Sequence, residues 1–235
     1  IRDDLVTGVQ TCALPISSQG LENLEISDAA SISLGATTLP GDLDIIATIG
    51  ATNFNAVTSL GNATISSGAT NLNAGLTGIG TVDVTGPLVF KADVTLDAAG
   101  ISITGDISLD SDRTATIVTG SGGLAVTGVV EGTLAGTETL NIDAGATGSV
   151  DINSLGAATG LDAVNIINSA SVDIDDISLV GNLDVTSIGN VDLASTDATT
   201  ALRFLGDVGG SLTVNAANRD RKSPRLNSSH QIISY

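Results

Sequence analysis

The chain holds 235 residues in which 26 Asp and Glu face only 8 Lys and Arg, a net charge of −18. Such a surface makes nucleic acid and anionic membrane poor partners, because affinity for a phosphate backbone depends on cationic neutralisation. With no Trp, no Met and three Phe, the core must come from Ile, Val, Leu and Ala, so bulky aromatic anchors cannot organise it. Aliphatic residues are spread along the whole chain, which separates it from the low-hydrophobicity sequences that stay unfolded. No apolar run approaches the roughly 18 residues of a membrane helix.

The rare residue types sit at the ends. The single Cys is Cys12, the single His is His230 and the single Tyr is Tyr235. The run Val6-Thr7-Gly8-Val9-Gln10-Thr11-Cys12-Ala13-Leu14-Pro15-Ile16 resembles the translation of a short-read sequencing adapter, and Asp220-Arg221-Lys222-Ser223-Pro224-Arg225-Leu226-Asn227-Ser228-Ser229-His230 resembles the same adapter in the opposite sense. Codons can be chosen so that the two ends are reverse complements. Ile233-Ser234-Tyr235 as ATC TCG TAT inverts to ATA CGA GAT, which reads Ile1-Arg2-Asp3. The pairing extends to Ile16 opposite Asp220 and fails only at Cys12 against Pro224. Residues 1–16 and 220–235 are therefore expected to be translated adapter, to be set aside in fold reasoning. Residues 17–219 are expected to be an internal piece of a longer protein, with further repeats beyond it. In that segment four basic residues face twenty-three acidic ones, a net charge of −19.

From Leu24 onward a short pattern recurs, an aliphatic pair flanking one polar residue, which places both aliphatics on one face of a strand. Leu24-Glu25-Ile26, Leu43-Asp44-Ile45, Ala63-Thr64-Ile65, Val82-Asp83-Val84 and Ile101-Ser102-Ile103 begin 19, 20, 19 and 19 residues apart. Later come Leu124-Ala125-Val126, Leu140-Asn141-Ile142, Val150-Asp151-Ile152, Val172-Asp173-Ile174, Leu183-Asp184-Val185, Leu202-Arg203-Phe204 and Leu212-Thr213-Val214, more loosely spaced. A second set lies between them, among them Ile107-Ser108-Leu109, Ile177-Ser178-Leu179 and Val191-Asp192-Leu193. A period near 20 with short strands predicts a solenoid. Gly, Ser, Thr, Asn and Asp punctuate the chain too often for helices. Asn53 and Asn55 recur as Asn71 and Asn73, which predicts asparagine ladders at corners between stacked coils.

The stretch Gly86-Pro87-Leu88-Val89-Phe90-Lys91-Ala92-Asp93-Val94-Thr95-Leu96-Asp97-Ala98-Ala99-Gly100-Ile101-Ser102-Ile103-Thr104-Gly105 resembles the repeat units of β-strand-repeat proteins related to filamentous haemagglutinin. Val130-Glu131-Gly132-Thr133-Leu134-Ala135-Gly136-Thr137-Glu138-Thr139-Leu140-Asn141-Ile142-Asp143-Ala144-Gly145 resembles the unit that follows. The resemblance is clear over the middle third. It implies an all-β, right-handed parallel β-helix with rungs of about 20 residues, in a large secreted bacterial surface protein that serves adhesion, coating or biofilm structure. Host or environmental surface glycans or proteins are the partners it implies, at an extracellular or cell-surface location. Before about Gly80 the units depart from this pattern, and a leucine-rich-repeat-like or other solenoid stays open there.

Residues 17–219 contain no His or Cys, so Ser-His, Cys-His and zinc chemistry are excluded. The glycines of Gly120 to Gly123 lack the Lys and the helix of a phosphate loop and read as a turn. Carboxylates remain. Asp173, Asp175 and Asp176 cluster, as do Asp110 and Asp112; alternation puts Asp173 and Asp175 on the outer face, where solvation is the ordinary reading and calcium bridging the secondary one. No catalytic residue and no cofactor other than calcium is expected. The leading expectation is a non-catalytic structural or adhesive segment. A β-helical polysaccharide lyase or hydrolase using paired acids with Arg113 or Arg203 is the first alternative, and a calcium- or ice-binding solenoid the second. Ice binding would require outward Thr ranks, and no regular rank is visible. Removing residues 1–16 and 220–235 is expected to leave the melting temperature unchanged, and a large drop on their deletion would contradict the adapter reading.

Overall fold

The computed structural model describes residues 4–7, 13–14, 22–56, 60–196, 200–204 and 210–216. Among them the chain is all strand, turn and bend, with no helix. Every strand pairing is parallel. The protein is a β-solenoid, in which each strand pairs with its equivalent one coil away.

The first face follows the aliphatic–polar–aliphatic triplets. Leu24 pairs with Leu43, Leu43 with Ala63, Ala63 with Val82 and Val82 with Ile101. The column continues through Leu124, Val150, Val172, Val191 and Leu212. Nine pairings from Leu24 to Leu212 make nine coils, which at about 4.8 Å per step extend on the order of 45 Å. The residues of this column are buried.

The second face stacks Leu34, Phe54, Leu72, Phe90 and Leu109. Both buried phenylalanines therefore occupy one column, alternating with leucines, so large rings never meet in adjacent coils. The neighbouring inward column runs Ile32, Thr52, Thr70, Leu88, Ile107. Two threonines thus stand where aliphatics are the rule, and the Thr70 hydroxyl lies 3.0 Å from that of Ser67.

The third face begins at Leu76, which pairs with Leu96 and continues through Ile117, Ile142, Ile166, Val185 and Phe204. Earlier in the chain, the same stretch of each coil is a connection carrying buried Leu39 and Leu60. This is the physical content of the departure seen before Gly80. The coils there continue the same first and second faces and differ on the third side. The loosely spaced later triplets sort the same way, with Val150, Val172 and Leu212 on the first face and Leu140, Leu183 and Leu202 on the third.

Corners set the strands' directions. At Gly86, φ is +108° and a Cβ would lie 2.2 Å from the Ser67 carbonyl oxygen, so only glycine turns the chain from first to second face there. At Gly61, a Cβ would meet the Gly41 carbonyl oxygen at 2.6 Å. The residues after Gly41, Gly61 and Gly80 are laddered too: Asn62 donates from Nδ2 to Asp42 Oδ1 at 2.9 Å, and Thr81 N donates to Asn62 Oδ1 at 3.0 Å.

The asparagine ladder is present. Asn71 Nδ2 donates to Asn53 Oδ1 at 2.8 Å and Asn73 Nδ2 donates to Asn55 Oδ1 at 2.9 Å. Asn53 and Asn71 lie within strands and only Asn55 and Asn73 follow strand ends, so half of the ladder sits on the sheet rather than at the corner. A third-face pair matches it, with Asn165 Nδ2 donating to Asn141 Oδ1 at 2.8 Å.

Two stretches within residues 1–16 join the stack. Asp4–Thr7 pairs with Leu24–Ser27, and Ala13–Leu14 with Ser33–Leu34. The open end of a parallel stack presents unpaired N–H and C=O groups, which an extended segment satisfies whatever its origin. The rest of 1–16, and all of 220–235, lie outside the described residues.

Leu72→Ala is expected to cost about 3 kcal/mol by leaving a cavity between two phenylalanines, and Asn71→Ala about 1 kcal/mol by breaking one ladder bond. Urea unfolding of both variants against the parent checks the ranking; equal losses would contradict it.

Candidate functional site

The carboxylates that the sequence singles out fall at three different places. Val172 and Ile174 are buried while Asp173 and Asp175 are exposed, as alternation requires. Asp176 is exposed as well and breaks the alternation, because the strand turns there toward the second face, where Ile177 points inward. Asp110 follows the second-face strand Ile107–Leu109 and accepts a hydrogen bond from Lys91 Nζ, one coil away, at 3.1 Å. Asp112 holds a left-handed φ of 60° at the next corner, its N–H donated to Thr137 Oγ1 at 3.2 Å. Asp110 and Asp112 are thus occupied in corner structure, on a different side of the coil from Asp173.

Stacking produces a grouping that reading along the chain does not show. The polar members of three successive first-face triplets, Asp151, Asp173 and Asp192, lie in direct register. Like charges directly opposite one another in a sheet repel, and at one inter-strand spacing they sit inside the Debye length of physiological salt. The Asp173 carboxyl is held above its ordinary range by partial desolvation, with the charges of Asp192, Asp151 and Asp175 adding to it. Beside this column lies a shallow open groove of about 230 Å³, lined by Ala125, Val126, Thr127, Asp151, Asn153 and Asp175. Its floor exists because Ala125 is the small residue in the outward column just before Asp151.

Among the described residues no three His, Cys, Asp or Glu side chains are grouped so as to hold a metal ion. The calcium expectation at Asp173, Asp175, Asp176, Asp110 and Asp112 therefore gains no assembled ligand set. In-register carboxylates project side by side from a flat sheet, whereas a calcium shell needs oxygens converging from several directions.

Among the described residues the basic side chains do not join the acids of the first face. Arg203 stands on the third face and forms a two-nitrogen ion pair with Asp184, its in-register partner. That hydrogen bond and charge raise the guanidinium pKa further above its usual range. Arg113 lies at the corner before Thr114, three coils from Asp173 along the stack. The acid-plus-arginine constellation of a lyase is thus divided between faces and coils.

Two polar arrangements went unread in the sequence. Glu138 is fully buried, and its Oε1 accepts the N–H of Leu134 at 2.8 Å, closing the turn Thr133–Thr137. A Cβ at Gly132 would lie 2.2 Å from Glu138 Oε2, so the glycine makes room for the carboxylate. The Asp184–Arg203 pair was legible only once Leu183 and Leu202 were known to share a column. The signal for the carboxylate column was present in Val150-Asp151-Ile152, Val172-Asp173-Ile174 and Val191-Asp192-Leu193, but it needs the coil register to align them.

No family model, curated protein or solved structure matches the chain significantly.

Asp173 binds its proton more tightly folded than unfolded. Its contribution favours folding below the ordinary value of 3.8 and is lost as pH rises through the elevated folded value. Asp173→Asn is therefore expected to stabilise the protein at neutral pH by about 0.5 kcal/mol, a rise of roughly 1–2 °C in melting temperature. The gain should shrink below pH 4 and in high salt. A stability loss at neutral pH and low salt would contradict the repulsive reading of the column.

Proposed function

We propose that this chain is a non-catalytic segment of a large secreted bacterial surface protein, acting as an extended stalk that carries or presents an adhesive β surface. Its partners in this reading are glycans or proteins of host or environmental surfaces, and its location is outside the cell. The observation that carries the reading is the continuity of the inward first-face column, aliphatic in every coil from Leu24 to Leu212. A rod built this way resists bending because each coil is bonded to two neighbours, and length is gained by repetition alone. The outward column opposite that core carries Glu25, Asp44, Thr64, Asp83, Ser102 and Ala125. The short side chains among these keep the outer surface low and hydrated.

The separation of Arg113 and Arg203 from Asp173 and Asp175 weighs against the polysaccharide lyase or hydrolase reading. Thr64 has no Thr in either adjacent coil of its outward column, and the in-register pair Thr85 and Thr104 is preceded by Ser66, runs too short for a flat ice-binding rank. The resemblance of Gly86–Gly105 to β-strand-repeat surface proteins supports the adhesive role over a purely internal one.

Surface display of residues 17–219 on a non-adherent bacterium is expected to raise attachment to glycan- or matrix-coated plates several-fold. The purified segment should release no reducing ends or unsaturated uronates from pectin, alginate or xylan. Turnover of any of these that disappears in Asp173→Asn would overturn the proposal.

A further inference from the structure

We draw no further inference here: the strongest candidate, the in-register carboxylate column of Asp151, Asp173 and Asp192 beside the Ala125 groove on the first face, is an acidic cluster with no second observation that points to a ligand.

Discussion

The structure depends on one constraint, the parallel register that places each inward aliphatic directly over the equivalent residue of the coil before it. Because side chains alternate with a period of two, a slip of one residue would send Ile152 and Ile174 into water and Asp151 and Asp173 into the core. The cost of that exchange fixes the register more firmly than any single hydrogen bond. Coil length is then free to vary, provided that the variation falls at corners. The step from Ile101 to Leu124 is 23 residues and that from Leu124 to Val150 is 26, against 19 from Val82 to Ile101. The additional residues form turns, among them the one that Glu138 closes from beneath.

The same register makes the outer surface a set of repeated chemistries, with consequences of either sign. Stacked amides satisfy one another, since each offers both a donor and an acceptor, and the pairs Asn53–Asn71 and Asn141–Asn165 use this. Stacked carboxylates offer only acceptors and like charge. In the N-terminal coils Glu25 and Asp44 face one another, but from Asp44 onward the outward column separates its acids, with Thr64 between Asp44 and Asp83 and then Ser102 and Ala125. At Asp151, Asp173 and Asp192 that separation is lost, and the neighbouring charges add to the partial desolvation that raises the Asp173 pKa. On the third face the register instead sets Arg203 against Asp184, so a column on another side of the coil resolves its charge by pairing.

Much of the fold was legible because the period was. Leu24, Leu43, Ala63, Val82 and Ile101 recur at nearly constant spacing, and their pairing follows that spacing coil by coil. Beyond Ile101 the spacing loosens for two physical reasons: corner turns grow, and a third strand-bearing face contributes triplets of the same appearance. Leu140 and Val150 are ten positions apart in sequence yet belong to different faces. The Asn53–Asn71 ladder was foreseen because both residues of the contact are the same type at one coil's distance. Glu138 was not, since a lone acid in a glycine-rich stretch carries no periodic signal, and its burial depends on the space left by Gly132. The carboxylate column lay between these cases, visible as triplets and hidden as a stack.

Equivalent residues advance along one axis by one strand spacing per coil, and a distance measurement between remote coils tests this directly. Asp44 and Asp192 are outward residues of the same column, seven pairings apart. Spin labels on Asp44→Cys and Asp192→Cys, in a chain whose Cys12 is replaced by Ser, should give a narrow distance distribution centred near about 34 Å by double electron–electron resonance. Labels at Asp83 and Asp192, five pairings apart, should fall near about 24 Å. Equal distances for the two pairs, or a broad distribution well below these values, would contradict the stacked-coil account.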